Sequence, residues 1–148
     1  MRRSAGMFAR LLAVAVIACG APQTGAPAAP APASATSDAP QFTTVESSTQ
    51  PAGSILVQMS SYAFAPTEIP VGAGKVVFYL VNTSKDVHSM ILRNPAVSIL
   101  AVVAASTNIE GGHSAVFTID KLPAAIYRVS CGVAGAGHGD MSATVTAR

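Results

Sequence analysis

Apolar positions in the second half of the chain fall in short runs broken by turn residues. "SILVQMS" (54–60) alternates in part. "TEIPV" (67–71) is a short extended piece, and its Pro70 fits a sheet edge because proline lacks the N–H a central strand needs. "GAG" (72–74) marks a turn. "KVVFYLVN" (75–82) is dense in β-branched and aromatic side chains, which suit a pleated, half-buried surface. "VHSMIL" (87–92), "SAVFTI" (114–119), "IYRVSC" (126–131) and "SATVTA" (142–147) follow the same style. Short strands at near-regular spacing predict an all-β fold, an antiparallel Greek-key sandwich. One stretch departs from this. "NPAVSILAVVAAS" (94–106) has Asn94 as an N-cap and Pro95 at the first helical position, which predicts a short helix or a packed flap with its apolar side chains buried.

The first third of the chain has no such pattern. Arg2, Arg3 and Arg10 accompany an apolar run at 11–18, "LLAVAVIA". That order reads as an export signal over residues 1–18, and the run is shorter than the ~20 residues a spanning helix needs. Residues 19–53 are rich in alanine, proline, serine and threonine and poor in large apolar side chains. They bury too little to offset their ordering entropy, so they read as an extended tether. Phe42 and Val45 are the exceptions, able to dock as a first strand. Residues 54–148 form the expected folded domain, long enough for one modest core.

"VIAC" (16–19) resembles a bacterial lipobox. The resemblance implies a diacylated Cys19 as the mature N-terminus and a membrane anchor facing the periplasm or the cell exterior. An ordinary signal with an incidental cysteine is the alternative. Export also changes the charge. The precursor carries nine Lys and Arg against seven acids; loss of the three signal arginines leaves six against seven, a net −1. Nucleic-acid binding wants a basic face, and none is indicated.

The last apolar run opens into "CGVAGAGHGDMSATV" (131–145). A lone thiol outside the cytosol is a partner-linked cysteine, a nucleophile or a metal ligand. His138 suits a general base, but Met141 adds nothing to acyl transfer. Thiolate, imidazole and thioether together are soft donors, and they select copper. In a sandwich, the turn carrying His88 ("KDVHSMIL") can meet this loop at one end. His88, Cys131 and His138 then make a His2Cys set with Met141 as a weak axial ligand. His113 follows "EGG" and reads as a surface histidine.

Residues 54–148 resemble a cupredoxin of the plastocyanin and azurin type, with the membrane-tethered auracyanins as near relatives. "YAFAPTEIPVGAGKVVFYLVN", "KDVHSMIL", "EGGHSAVFTI" and "IYRVSCGVAGAGHGDMSATVTA" carry the resemblance. It implies one copper ion cycling between Cu(I) and Cu(II), held by His88, Cys131, His138 and Met141. It also implies a monomeric one-electron carrier serving redox proteins of a membrane electron-transport chain, not an enzyme. The ligand spacing here is Cys-x6-His-x2-Met, whereas many relatives have Cys-x4-His-x4-Met, so His138 is displaced by two positions. Ser89 stands where relatives often have asparagine after the first histidine, in place to tie the two ligand loops together. A copper storage or delivery protein uses the same residues, but favours Met- or His-rich tails that this linker lacks. A copper-free adhesion sandwich has no need of Cys131. A copper nitrite reductase needs a further metal site, for which only His113 is spare.

Overall fold

A computed structural model of the chain describes residues 39–148. Ten strands run in order: β1 (Phe42–Glu46), β2 (Ile55–Ser60), β3 (Ala63–Ala65), β4 (Glu68–Val71), β5 (Gly74–Asn82), β6 (Ile91–Arg93), β7 (Val102–Ala105), β8 (Ser114–Leu122), β9 (Ala125–Ser130) and β10 (Ser142–Ala147). One 3-10 turn, His138–Asp140, precedes β10. The strands form two five-stranded sheets, in the orders β1-β8-β5-β2-β3 and β4-β10-β9-β6-β7.

Period-two burial explains why the sheets stack. Val76, Phe78 and Leu80 of β5 point inward, as do Ala115, Phe117 and Ile119 of β8. Tyr127 and Val129 of β9 and Ala143, Val145 and Ala147 of β10 answer them from the other sheet. Phe78 and Phe117 stack with ring centroids 6.1 Å apart at the centre. Pro70 sits on β4, an edge strand, where its missing N–H costs no ladder bond.

The expected sandwich is present, with differences in detail. Two strand pairs, β2–β5 and β4–β10, are parallel, so the sheets are mixed. The sandwich begins at Phe42 rather than Ser54. β1 pairs with β8 from Phe42↔Ile119 to Glu46↔Ala115, and Phe42 meets Phe117 edge-on at 6.4 Å. The run 87–92 is a strand only at its end, since His88 makes an isolated bridge to Ile109 and β6 starts at Ile91.

The segment 94–106 corrects the expectation of a buried helix. Asn94 does cap a turn: its side-chain oxygen accepts from Ala96 N–H at 3.0 Å, and its carbonyl accepts from Ser98 N–H at 3.1 Å. The turn does not propagate, and Val102 enters β7. Val97, Ile99 and Leu100 are 76%, 72% and 79% exposed. β-branched residues lose rotamer freedom in a helix, and among the described residues no neighbouring element covers this tip. The export signal, most of the tether's proline-rich half and Cys19 lie outside the described residues.

Candidate metal centre

His88 is placed by a buried asparagine. Asn82 ends β5 at 1% exposure. Its amide donates to the carbonyls of Asp86 (2.7 Å) and Ile109 (2.9 Å), while its oxygen accepts from Ser84 N–H (3.0 Å) and Oγ (2.8 Å). One side chain thus shapes the turn 83–87 and ties it to the loop at 109. His88 follows at once, fixed by paired backbone bonds with Ile109 at 3.1 and 2.8 Å. Gly111 lets that loop approach: a Cβ there would lie 2.6 Å from the Lys85 carbonyl oxygen.

Cys131 leaves the end of β9, and His138 opens the 3-10 turn. Gly137 precedes it at φ 83°, a left-handed conformation that glycine takes without strain. Met141 closes the same turn, its N–H donating to the His138 carbonyl at 3.3 Å. The two ligand loops are stitched by Ser89, whose Oγ accepts from Gly132 N–H at 3.0 Å. The tie expected of Ser89 is therefore made by its side chain.

These elements bring three of the expected donors together. One ligand atom each of His88, Cys131 and His138 lies within 4.8 Å of the others. Cys131 Sγ is 3.5 Å from His138 Nδ1 and 3.9 Å from His88 Nδ1, so both rings turn the same nitrogen inward. His88 is fully buried, His138 is 7% exposed and Cys131 is half-buried. Met141 is fully buried, one turn beyond His138. Burial is the main force lowering the His88 pKa; the neighbouring His138 lowers it further and Asp86 opposes both. His88 is therefore held neutral, the form that binds metals. Its Nε2 is buried with no hydrogen-bond partner among the described residues, so the backbone and packing orient the ring. A thiolate and two imidazoles fit one soft or borderline cation and exclude magnesium or calcium, which take oxygen ligands.

His113 stays apart from this cluster. It is exposed and its Nδ1 lies 2.6 Å from Glu46 Oε1. A cavity of about 480 Å3 on the second sheet, with Glu68, Ile126, Arg128 and Thr144 in its wall, shares no residue with the donors.

This architecture has solved counterparts. Auracyanin from Roseiflexus castenholzii superposes with a TM-score of 0.55 at 17% identity, over 64% of this chain and 96% of its own. Auracyanin A from Chloroflexus aurantiacus, described as a blue copper protein, superposes at 0.53 and 22% identity, over 65% and 100%. The reduced Cu(I) form of an amicyanin variant superposes at 0.57 and 16% identity, over 75% and 100%. The fold is that of the cupredoxins. No protein-family model matches the chain, and no curated protein matches its sequence.

Against the cupredoxin pattern, the four expected donors fall at one end of the sandwich, in two loops of a single domain. Asn82 and Gly111 were not singled out from sequence. Asparagine ending an apolar strand, followed by two small polar residues, was the available signal for Asn82. Tyr62 was also missed. It lies in the β2–β3 turn, and its ring stands edge-on to His138 at 5.4 Å and to His88 at 6.4 Å. It opens the stretch "YAFAPTEIPVGAGKVVFYLVN" that carries the resemblance, but nothing in that stretch marks it as a neighbour of the histidines.

Proposed function

We propose that this chain is a mononuclear blue copper protein that carries single electrons. The observation behind the reading is the convergence of His88, Cys131 and His138 on one point, with Met141 a turn away. Relatives of the same fold are named as copper proteins. Bound copper supplies a Cu(I)/Cu(II) couple. Cys131 supplies the thiolate, His88 and His138 the imidazoles through Nδ1, and Met141 the thioether. Asn82, Ser89 and the Ile109 bridge hold both ligand loops to the sandwich, so the donors need little rearrangement when the charge on the ion changes. Burial of His88 and Met141 keeps water from that side of the site. Retention by buried ligands favours a carrier over a protein that hands copper on.

The carrier is further proposed to be exported and anchored through a lipidated Cys19, with membrane redox proteins as its partners. The N-terminal arginines, apolar run and "VIAC" support this reading.

The test is the visible spectrum of the full chain with Cu(II), beside a Cys131→Ser control. An intense thiolate-to-copper band, absent from the control, is the expected result. Copper bound without that band would favour storage or delivery. No copper binding would sink the reading.

A further inference from the structure

Tyr62 has features that its place in a short hairpin turn does not require. Its backbone is left-handed, with φ 65°, and among the described residues it is the one non-glycine with positive φ. A tyrosine there is strained, and glycine would not be. With this backbone the ring lies over the donor end. The ring stands edge-on to His138 (centroids 5.4 Å apart, 80°) and to His88 (6.4 Å, 87°). Its hydroxyl reaches Asp86 Oδ2 at 3.4 Å, on the turn that leads into His88. On the other loop, Gly137 leaves room for it: a Cβ there would lie 2.7 Å from Tyr62 Cδ1. One side chain from a third segment thus spans both ligand loops. Around His138 the rest of its loop is small, with Gly135, Ala136 and Gly139 as neighbours in sequence, yet His138 is only 7% exposed.

We propose that Tyr62 is the lid of the metal centre: its ring closes the approach to His138 and so keeps the bound ion from exchanging. The proposal rests on the copper reading for its purpose, but the lid itself is a property of the polypeptide. The loop 132–139 carries glycine at 132, 135, 137 and 139, and glycine loses the most freedom on ordering, so a side chain laid across it helps fix its path. An aromatic ring laid across it restricts the opening through which a ligand histidine would swing out. Tyr62 as a residue stays 42% exposed, which lets the ring swing clear without unpacking the core.

Three full-chain variants separate this role from a structural one: Tyr62→Phe, Tyr62→Ala and Tyr62→Gly. The first keeps the ring. The third removes it while relieving the backbone strain, so its apo form is expected to unfold no earlier than wild type. The first readout uses apo protein and no copper: the rate at which diethyl pyrocarbonate modifies His138, followed by peptide mass spectrometry. Removing the ring should raise that rate about tenfold in Tyr62→Gly and Tyr62→Ala, the scale of a lost aromatic pair, and leave Tyr62→Phe within about twofold of wild type. The second readout is transfer of Cu(I) from loaded protein to bathocuproine disulfonate, expected to quicken by a similar factor in the same two variants. A His138 rate unchanged in Tyr62→Gly overturns the lid. A changed His138 rate in a protein that takes up no copper overturns the copper reading and leaves the lid standing. Loss of protection in Tyr62→Phe equal to that in Tyr62→Ala would show that the hydroxyl bond to Asp86, not the ring, does the closing, and would overturn the proposal as stated.

Discussion

At the scale of single residues, the site depends on polar groups that are buried and fully used. Asn82 satisfies four partners from a position 1% exposed. Asn82→Ala would remove four hydrogen bonds around the His88 turn; the Ile109 carbonyl keeps His88 N–H and the Asp86 carbonyl keeps Ser84 Oγ, but Ser84 N–H loses its partner, and the cost should be about 1–3 kcal/mol. Urea unfolding of the apo chain checks this, and a change below about 0.5 kcal/mol would show that water replaces the amide at no cost. Tyr127 gives a second prediction. Its phenol donates to the Pro123 carbonyl at 2.7 Å, and burial raises its pKa above the ordinary value of 10.0. The unfolded chain therefore gives up this proton at a lower pH than the folded one. The stability tied to the group is whole below pH ~10 and is lost as pH rises through the raised folded value. Tyr127→Phe should cost about 1 kcal/mol at pH 7, from the lost hydrogen bond, and should flatten the alkaline fall in stability above pH ~10. Equal alkaline slopes in both proteins would remove Tyr127 from the account.

At the scale of elements, what the chain's pattern reveals depends on whether a segment's own composition carries the reason for its structure. β5, β8, β9 and β10 were legible because their inward residues alternate and are large or β-branched. β1 has the polar make-up of the tether it continues, and only pairing with β8 makes it a strand. The tip of 94–101 misled because apolar residues usually mark burial, and here they stand in solvent. The meeting of His88, Cys131 and His138 was legible for the opposite reason. A thiol, an imidazole and a thioether on one loop need explaining wherever the chain goes. Tyr62 was not legible, because its meaning comes from contacts with residues 24 or more positions away. Two predictions belong here. A chain starting at residue 47 leaves the β8 edge open and Phe117 without its edge-on partner, so it should lose about 2 kcal/mol or more relative to one starting at residue 39, and should self-associate. Urea unfolding and sedimentation check it, and an unaltered monomer of equal stability would make β1 an ornament. The double variant Ile99→Ser, Leu100→Ser should leave stability within about 0.5 kcal/mol, because both side chains are already in water. A larger loss on urea unfolding would mean the tip packs in solution.

At the scale of the whole molecule, the question is whether the sandwich makes the site or the metal makes the sandwich. The core is continuous from Val57 to Ala147 and draws on both sheets. Of the four expected donors, Met141 belongs to it outright and Cys131 packs against its margin. His88 and His138 are held by bonds that need no ion: the Ile109 pair for one, the 3-10 turn for the other. These bonds predict a fold that forms without an ion, unlike small zinc domains that unfold without theirs. Stripping the ion should leave the far-ultraviolet circular dichroism unchanged. Adding it back should stabilise only by mass action, about 2.7 kcal/mol at a free concentration one hundred times the dissociation constant. The same titration on Cys131→Ser should give a far smaller gain, while its apo stability stays near that of wild type. An apo chain that unfolds would reverse the order of cause, with the ligand loops organising the sheets. A folded apo chain with a metal-dependent midpoint fits a preformed site, in which the rigidity that the proposed electron carrier requires is built by the polypeptide before any ion arrives.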